Sequence, residues 1–190
     1  MARQKRLKVK GERVAYYHIM SRTVGQEFYL GDVEKEKLFN IIQYYSGFYF
    51  VKVLGLSLLN NHFHLLIKSE PQSYYNDDEI MQRIKRYILD KDHNKKKEIS
   101  PDQLVRIKNK MEDISEYVRA IKQTFSRWYN KMNNRTGYLW GDRFKSVLLE
   151  EGESLLNCLA YIDLNPVRAG IVKRPEDYRW CSLGYRIYTN

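Results

Sequence analysis

Two cysteines in 190 residues, Cys158 and Cys181, lie far apart in apolar surroundings and form no Cys-x-x-Cys pair. They suggest neither a disulfide framework nor a zinc ribbon, and they suit a reducing cytoplasm. No apolar run approaches the length of a membrane span. Residues 1–13 carry Arg3, Lys5, Arg6, Lys8, Lys10 and Arg13 without the apolar core of a signal peptide. A soluble, cytoplasmic protein that is not exported is the expectation, with no membrane partner. Internal repeats, low-complexity linkers and a glycine-rich phosphate loop are also missing, so ATP-driven chemistry is not expected. The length favours one domain spanning 1–190.

Positive charge is abundant. Lys plus Arg total 33 against 23 Asp plus Glu, a net charge of +10. That balance favours a polyanionic partner such as nucleic acid, although solubility alone would produce it too. A hydrophobic content of 43% fits a globular fold.

Val14 to Met20 is rich in strand formers. Asp32 can cap a helix whose Leu38, Ile41, Ile42 and Tyr45 recur at helical spacing, with Gly47 at its end. A second strand over Tyr49 to Leu59 leads to Asn60-Asn61. Because Asn tolerates positive φ, these two residues read as a two-residue hairpin turn that delivers His62 into a third strand. Strand, helix, strand, strand is the first part of a split β-α-β arrangement.

Residues 71–112 read as a helical insertion. Asp77 to Lys91 is amphipathic, Lys95 to Lys97 form either a solvated or a DNA-facing loop, and Ser100-Pro101-Asp102-Gln103 has the form of a capping box opening a helix through Met111. Asp113 then opens the clearest helix, with Ile114, Val118, Ile121, Phe125, Trp128 and Met132 stepping by three and four. Arg119, Lys122 and Arg127 lie off that stripe, open to solvent or nucleic acid. After a turn at Arg135-Thr136-Gly137, residues 138–144 interleave aromatics with basic residues, a pattern that suits stacked bases or simply pins a loop to the core. A short strand over 146–150 and a helix over 154–164 follow. Pro166 disfavours helical geometry in the residue before it, so the helix is expected to stop near Asn165.

Within this frame, His62-Phe63-His64 stands out. The period of two on a strand puts both imidazoles on one face, while Phe63, Leu65 and Ile67 face the other way. That is half of a metal site, or two ordinary strand histidines. Tyr161 and Asn165 fall at i and i+4 on one helix face, away from the Leu155, Leu159 and Ile162 stripe. Taken alone, Tyr161 reads equally as a packing tyrosine.

Three runs, 58–67 (Leu-Leu-Asn-Asn-His-Phe-His-Leu-Leu-Ile), 135–146 (Arg-Thr-Gly-Tyr-Leu-Trp-Gly-Asp-Arg-Phe-Lys-Ser) and 158–172 (Cys-Leu-Ala-Tyr-Ile-Asp-Leu-Asn-Pro-Val-Arg-Ala-Gly-Ile-Val), together resemble the single-tyrosine HUH transposases, in particular the REP-associated tyrosine transposase group. The resemblance spans roughly residues 10–185. It implies an α+β, ferredoxin-like antiparallel sheet with helices on one face and a helical insertion. It also implies cutting and rejoining of single-stranded or hairpin DNA at a Mg²⁺ or Mn²⁺ ion. By that similarity Tyr161 is the nucleophile, forming a 5′-phosphotyrosine. His62, His64 and Asn165 are the metal ligands, with Tyr129 and Tyr138 as weaker rivals for the tyrosine. Arg3, Lys5, Arg6, Lys8, Lys10, Arg119, Lys122, Arg135, Arg143 and Lys145 are expected to contact DNA. A homodimer with shared sites is compatible with the resemblance. Two other readings use the same residues. A metal-dependent hydrolase barrel needs about 250 residues and is too large for this chain. A domesticated relative would bind hairpin DNA without cutting it.

Overall fold

The computed structural model describes residues 13–91 and 99–189. The candidate DNA contacts Arg3, Lys5, Arg6, Lys8 and Lys10 and the run Lys95 to Lys97 lie outside the described residues. Four strands, β1 (Ala15–Arg22), β2 (Val51–Leu58), β3 (His62–Ser69) and β4 (Lys145–Leu149), form one sheet in the order β2-β3-β1-β4. Every neighbouring pair is antiparallel. The helices are α1 (Asp32–Ser46), α2 (Asp77–Lys91), α3 (Pro101–Glu112), α4 (Ile114–Met132), α5 (Glu153–Arg168) and α6 (Ser182–Thr189). This is the α+β, ferredoxin-like antiparallel sheet expected from the sequence.

Side-chain alternation divides the sheet. Tyr17 and Ile19 of β1 and Phe63, Leu65 and Ile67 of β3 join one core with Leu38 and Ile42 of α1 and Val118, Ile121 and Phe125 of α4. Asp113 caps α4 by accepting from the Ser115 amide at 2.7 Å. Met132, placed on the buried stripe by spacing, is exposed, because the stripe leaves the core at Tyr129. The even-numbered face of β3 packs elsewhere: Leu66 meets Cys158 and Ile162 of α5. Gly55 permits this approach, since a Cβ there would stand 2.6 Å from Leu159 Cδ1. The helices are therefore not confined to one face. Parity forces the arrangement, because Leu66 needs an apolar cover on the side that α1 and α4 do not reach.

Three local expectations change. The first residue of α1 is Asp32 itself, after Gly31 at the cap, and its carboxylate accepts from Trp180 Nε1 at 2.9 Å. Asn60 and Asn61 do not use positive φ. They hold the turn by side-chain and carbonyl tethers instead. Helix α5 continues through Pro166 to Arg168. The missing N–H removes one helical bond, to the Ile162 carbonyl, close to the helix end, and Gly170 at φ 67° closes that end. The capping box at Ser100 and Gln103 forms as expected. In the 71–112 segment, the Tyr87 ring stacks on Phe48 at 4.0 Å and the Tyr75 ring stacks on Phe50 at 4.6 Å, which binds the segment to the core.

At the far end of β3 the like charges Lys52 and Lys68 stand directly opposite each other. Glu70, 3% exposed, answers both, with Oε1 at 2.9 Å from Lys52 Nζ and 3.0 Å from Lys68 Nζ. The Tyr75 hydroxyl donates to its other oxygen. Burial works against the Glu70 charge, but Tyr75 and the two lysines hold the carboxyl down at about 2. The folded state thus binds fewer protons than the unfolded chain between its ordinary value of 4.5 and about 2. The stability contributed by Glu70 is complete above that window and lost as pH falls through it. Glu70→Gln should destabilise the protein by about 1–3 kcal/mol at pH 7, a difference that shrinks on acidification. Urea melts of both proteins at pH 7 and pH 3 check this, and an undiminished gap at pH 3 would contradict it.

Candidate active site

The pairing of β1 with β3 sets Met20 opposite His64 and Arg22 opposite His62, and the pairing of β1 with β4 sets Lys145 opposite Met20. Cross-strand partners share a face, so His18, Met20, Arg22, His62, His64 and Lys145 all lie on the α5 side. His18, one strand away and two positions before Met20, places its Nε2 2.9 Å from His64 Nδ1, with the rings stacked at 5.1 Å. Sequence reasoning missed His18. Its signal was scarcity, since only 4 histidines occur in the chain and three of them converge here.

The turn before His62 is held from four directions. Lys35 Nζ donates to Asn60 Oδ1 at 2.8 Å, and the Leu30 amide donates to the Asn60 carbonyl at 2.9 Å. The Thr23 amide donates to the Asn61 carbonyl at 2.9 Å, and Asn61 Nδ2 donates to the Gln26 carbonyl at 2.8 Å. That last bond fixes which way the Asn61 amide points. Its oxygen is then left to accept from His62 Nδ1 at 2.6 Å, which puts the His62 proton on Nδ1 and the free lone pair on Nε2.

All three imidazoles are held neutral. Burial lowers His18. Burial and the Arg22 charge bring His62 to about 4. His64, 2% exposed, is brought to about 3 by burial and then by His62, His18 and Arg22. Neutral imidazole is the form that ligates a metal.

Helix α5 lays Tyr161 over this row. Its ring stands edge-on to His18 and to His64, with centroids 5.9 Å away in each case. The Arg168 guanidinium, two turns on, lies 4.9 Å from the Tyr161 ring centroid. Asn165, one turn after Tyr161 and 8% exposed, keeps Nδ2 fully buried with no hydrogen-bond partner among the described residues. Exchanging the two amide atoms would leave a buried oxygen in that position, a group that calls for a cation or a donor.

The donor set fits a divalent ion. The His62 and His64 rings lie 5.1 Å apart, each with Nδ1 engaged and Nε2 without a partner among the described residues. No group of three His, Cys, Asp or Glu among the described residues could hold an ion by itself. An amide oxygen such as that of Asn165, or substrate oxygens, must complete the set. His18 does not extend it through Nε2, which faces His64.

The remaining candidates divide. Tyr129 is buried against Phe125 and Tyr29, a core tyrosine. Tyr138 is 88% exposed at a groove beside α4. Arg119, Lys122 and Arg143 line the same groove. Arg135 is turned inward, its guanidinium 4.7 Å from the Tyr29 ring centroid and donating to the Tyr138 carbonyl at 3.3 Å, so it pins the loop.

Residues 13–101 match the family described as transposase, IS200-like. The match includes β1, the tethered turn and both strand histidines, and stops before Tyr161. Among solved structures, the chain is similar to a REP-associated tyrosine transposase bound to a REP hairpin, with a TM-score of 0.65 and 16% identity over 99% of this chain and 86% of that one. It is also similar to a proposed transposase from Deinococcus radiodurans R1, with a TM-score of 0.46 and 15% identity over 85% of this chain and 96% of that one. At such identities the likeness concerns the fold. No curated protein matches the chain. Among the described residues no helix is long and apolar enough to cross a membrane.

The Asn61 tether should be visible directly. Long-range ¹H–¹⁵N spectra at pH 7 are expected to show His62 protonated at Nδ1 and bare at Nε2. Asn61→Ala should convert that single tautomer into a mixture, and an unchanged spectrum would remove Asn61 as the orienting group.

Proposed function

We propose, from the match of residues 13–101 to the family described as transposase, IS200-like, that the protein is a metal-dependent single-stranded DNA endonuclease and strand transferase. Its substrate in this reading is hairpin or repeat DNA, the kind of ligand carried by the REP-associated relative. The observation that carries the reading is the edge-on approach of Tyr161 to His64 at 5.9 Å, across some hundred residues of sequence.

His62, His64 and the Asn165 amide oxygen are the groups to hold Mg²⁺ or Mn²⁺, whose contribution when bound is Lewis-acid polarisation of the scissile phosphodiester. The chain's own residues do the rest. Asn61 and His18 fix the ring orientations of His62 and His64. Tyr161 supplies the oxygen that attacks phosphorus. The new bond is a 5′-phosphotyrosine, the bond to the 3′-oxygen breaks, the phenol proton passes to solvent, and the departing 3′-oxygen takes one up. Arg168 beside the ring meets the incoming phosphate. Because one phosphodiester is exchanged for another, the 3′-hydroxyl can attack the phosphotyrosine and rejoin the strand without ATP. One chain brings Tyr161 and the histidines together, so this reading needs no second copy.

A 3′-labelled pool of single-stranded hairpin oligonucleotides with randomised flanks, incubated with Mn²⁺ and run on an SDS gel, is expected to yield a protein-bound label. Tyr161→Phe should abolish it, and a surviving adduct in that variant would overturn the assignment. Hairpin binding with no adduct in the wild type would favour a DNA-binding relative that does not cut. In the same assay Asn61→Ala should slow adduct formation by about 10–100-fold, the usual effect of removing a group that orients a ligand.

A further inference from the structure

A groove of about 710 Å³ runs along α4 beside residues 137–144 and lies apart from the histidine row. The loop is stitched to the helix at three points. Asn130 Nδ2 donates to the Gly137 carbonyl at 3.0 Å, Trp140 Nε1 donates to the Lys122 carbonyl at 3.1 Å, and Lys122 Nζ donates to the Asp142 carbonyl at 3.0 Å. The groove is therefore preformed. Buried Leu139, Trp140 and Phe144 give it an apolar, aromatic floor. Tyr138 stands over it with 88% of its surface exposed. Arg127 and Arg143 line it without a partner among the described residues, and Arg119 pairs with Glu116.

Each feature points to the same ligand chemistry. An apolar aromatic floor suits a flat ring, and unpaired guanidinium groups at the rim suit phosphates. A duplex hides its ring faces, so the ligand is unpaired. Ser115 and Asn130 are fifteen residues apart on one helix, a span of about 22 Å. At roughly 3.4 Å per stacked nucleotide, that admits about six nucleotides.

The groove also leads to the histidines. Trp140 bridges to Thr23, the Gly141 amide donates to the Arg22 carbonyl at 3.1 Å, and two residues after Arg143 the chain enters β4 at Lys145, in the histidine row. We infer that this groove holds an unpaired stretch of the DNA substrate, with a base on Tyr138 and phosphates on Arg127 and Arg143. The inference rests on the reading of the protein as one that acts on DNA, and names where the single strand lies.

Binding separates the two ideas when cleavage is switched off. In the Tyr161→Phe protein with EDTA present, fluorescence anisotropy of a fluorescein-labelled random-sequence 20-nucleotide single strand is compared with its 20-base-pair duplex. The single strand should bind more tightly. Tyr138→Ala and Arg143→Ala should each weaken it about tenfold, the scale of one lost base stack, and Tyr138→Ala should leave duplex binding nearly unchanged. Arg186→Ala, an exposed cation on α6, serves as the charge control and should have little effect. The inference falls if the Tyr138→Ala/Arg143→Ala double variant, native by circular dichroism, binds the single strand as the parent does. It falls equally if Arg186→Ala weakens binding as much as Arg143→Ala. Photocrosslinking with 5-iodouracil in the same strand should label Tyr138 or Trp140, and labelling confined to other residues would also overturn it. Groove binding without any Tyr161 adduct in the wild type would defeat the cleavage reading and leave the groove standing.

Discussion

The antiparallel register between β1 and β3 is the constraint on which both the core and the site depend. With Met20 opposite His64 and Ser21 opposite Phe63, the odd residues of both strands join α1 and α4, and the even residues face α5. A slip of one residue would turn His64 into the apolar core and Phe63 out of it. The two ends of β3 are tied in different ways. At its start the Asn60-Asn61 turn is bonded to α1 through Lys35 and to the end of β1 through Thr23. At its finish Glu70 bridges two lysines that would otherwise repel. The apolar parity chooses the register, and these polar ties fix its ends.

That register also explains why the imidazoles are neutral without any acidic partner. His18, His64 and Leu66 belong to a patch that α5 covers, and Arg22, across from His62, is the cation whose charge acts on His62 and His64. Burial and a neighbouring cation act in the same direction on a histidine, against its protonated form. A carboxylate in this place would raise the pKa values and compete for an incoming phosphate. The site instead combines neutral lone pairs with the guanidiniums of Arg22 and Arg168, a surface suited to a cation and an anion arriving together.

Much of this was legible in the residues. Alternation at 62–67 gave the face of each side chain, the 3.6 period gave α4, and Ser100 with Gln103 gave the start of α3. Propensity failed where tertiary contacts override it. Pro166 was read as a stop, yet it sits inside the last turn of α5 among buried neighbours. Asn60-Asn61 was read through positive φ, whereas its side chains serve as anchors. Helix placement on both faces was hidden because it depends on Gly55 admitting Leu159, a contact between residues a hundred positions apart. His18 was hidden for a similar reason: a strand shows its own alternation in sequence and never its cross-strand partner. The resemblance places Arg135 among the DNA-facing cations, and its contact with the Tyr29 ring makes it part of the loop's support.

On the proposed reading, the two aromatic-basic places on this molecule differ in the way that catalysis and binding differ. At Tyr161 the ring rests edge-on against two imidazoles with one guanidinium over it, on a helix that lies over the metal-type ligands. At Tyr138 the ring is free in solvent above an aromatic floor, with cations at hand and no imidazole among the groove's lining residues. A tyrosine that is to become covalently bound needs its oxygen positioned against a reacting phosphate, so its ring must be held. A tyrosine that is to accept any base needs an open face and tolerance of sequence. The single sheet edge from Thr23 through Gly141 to Lys145 joins these two environments. If the proposed reading holds, one strand of DNA following that edge meets a sequence-tolerant hold first and the Tyr161 oxygen second, and this order lets weak contacts align the backbone before a bond is broken.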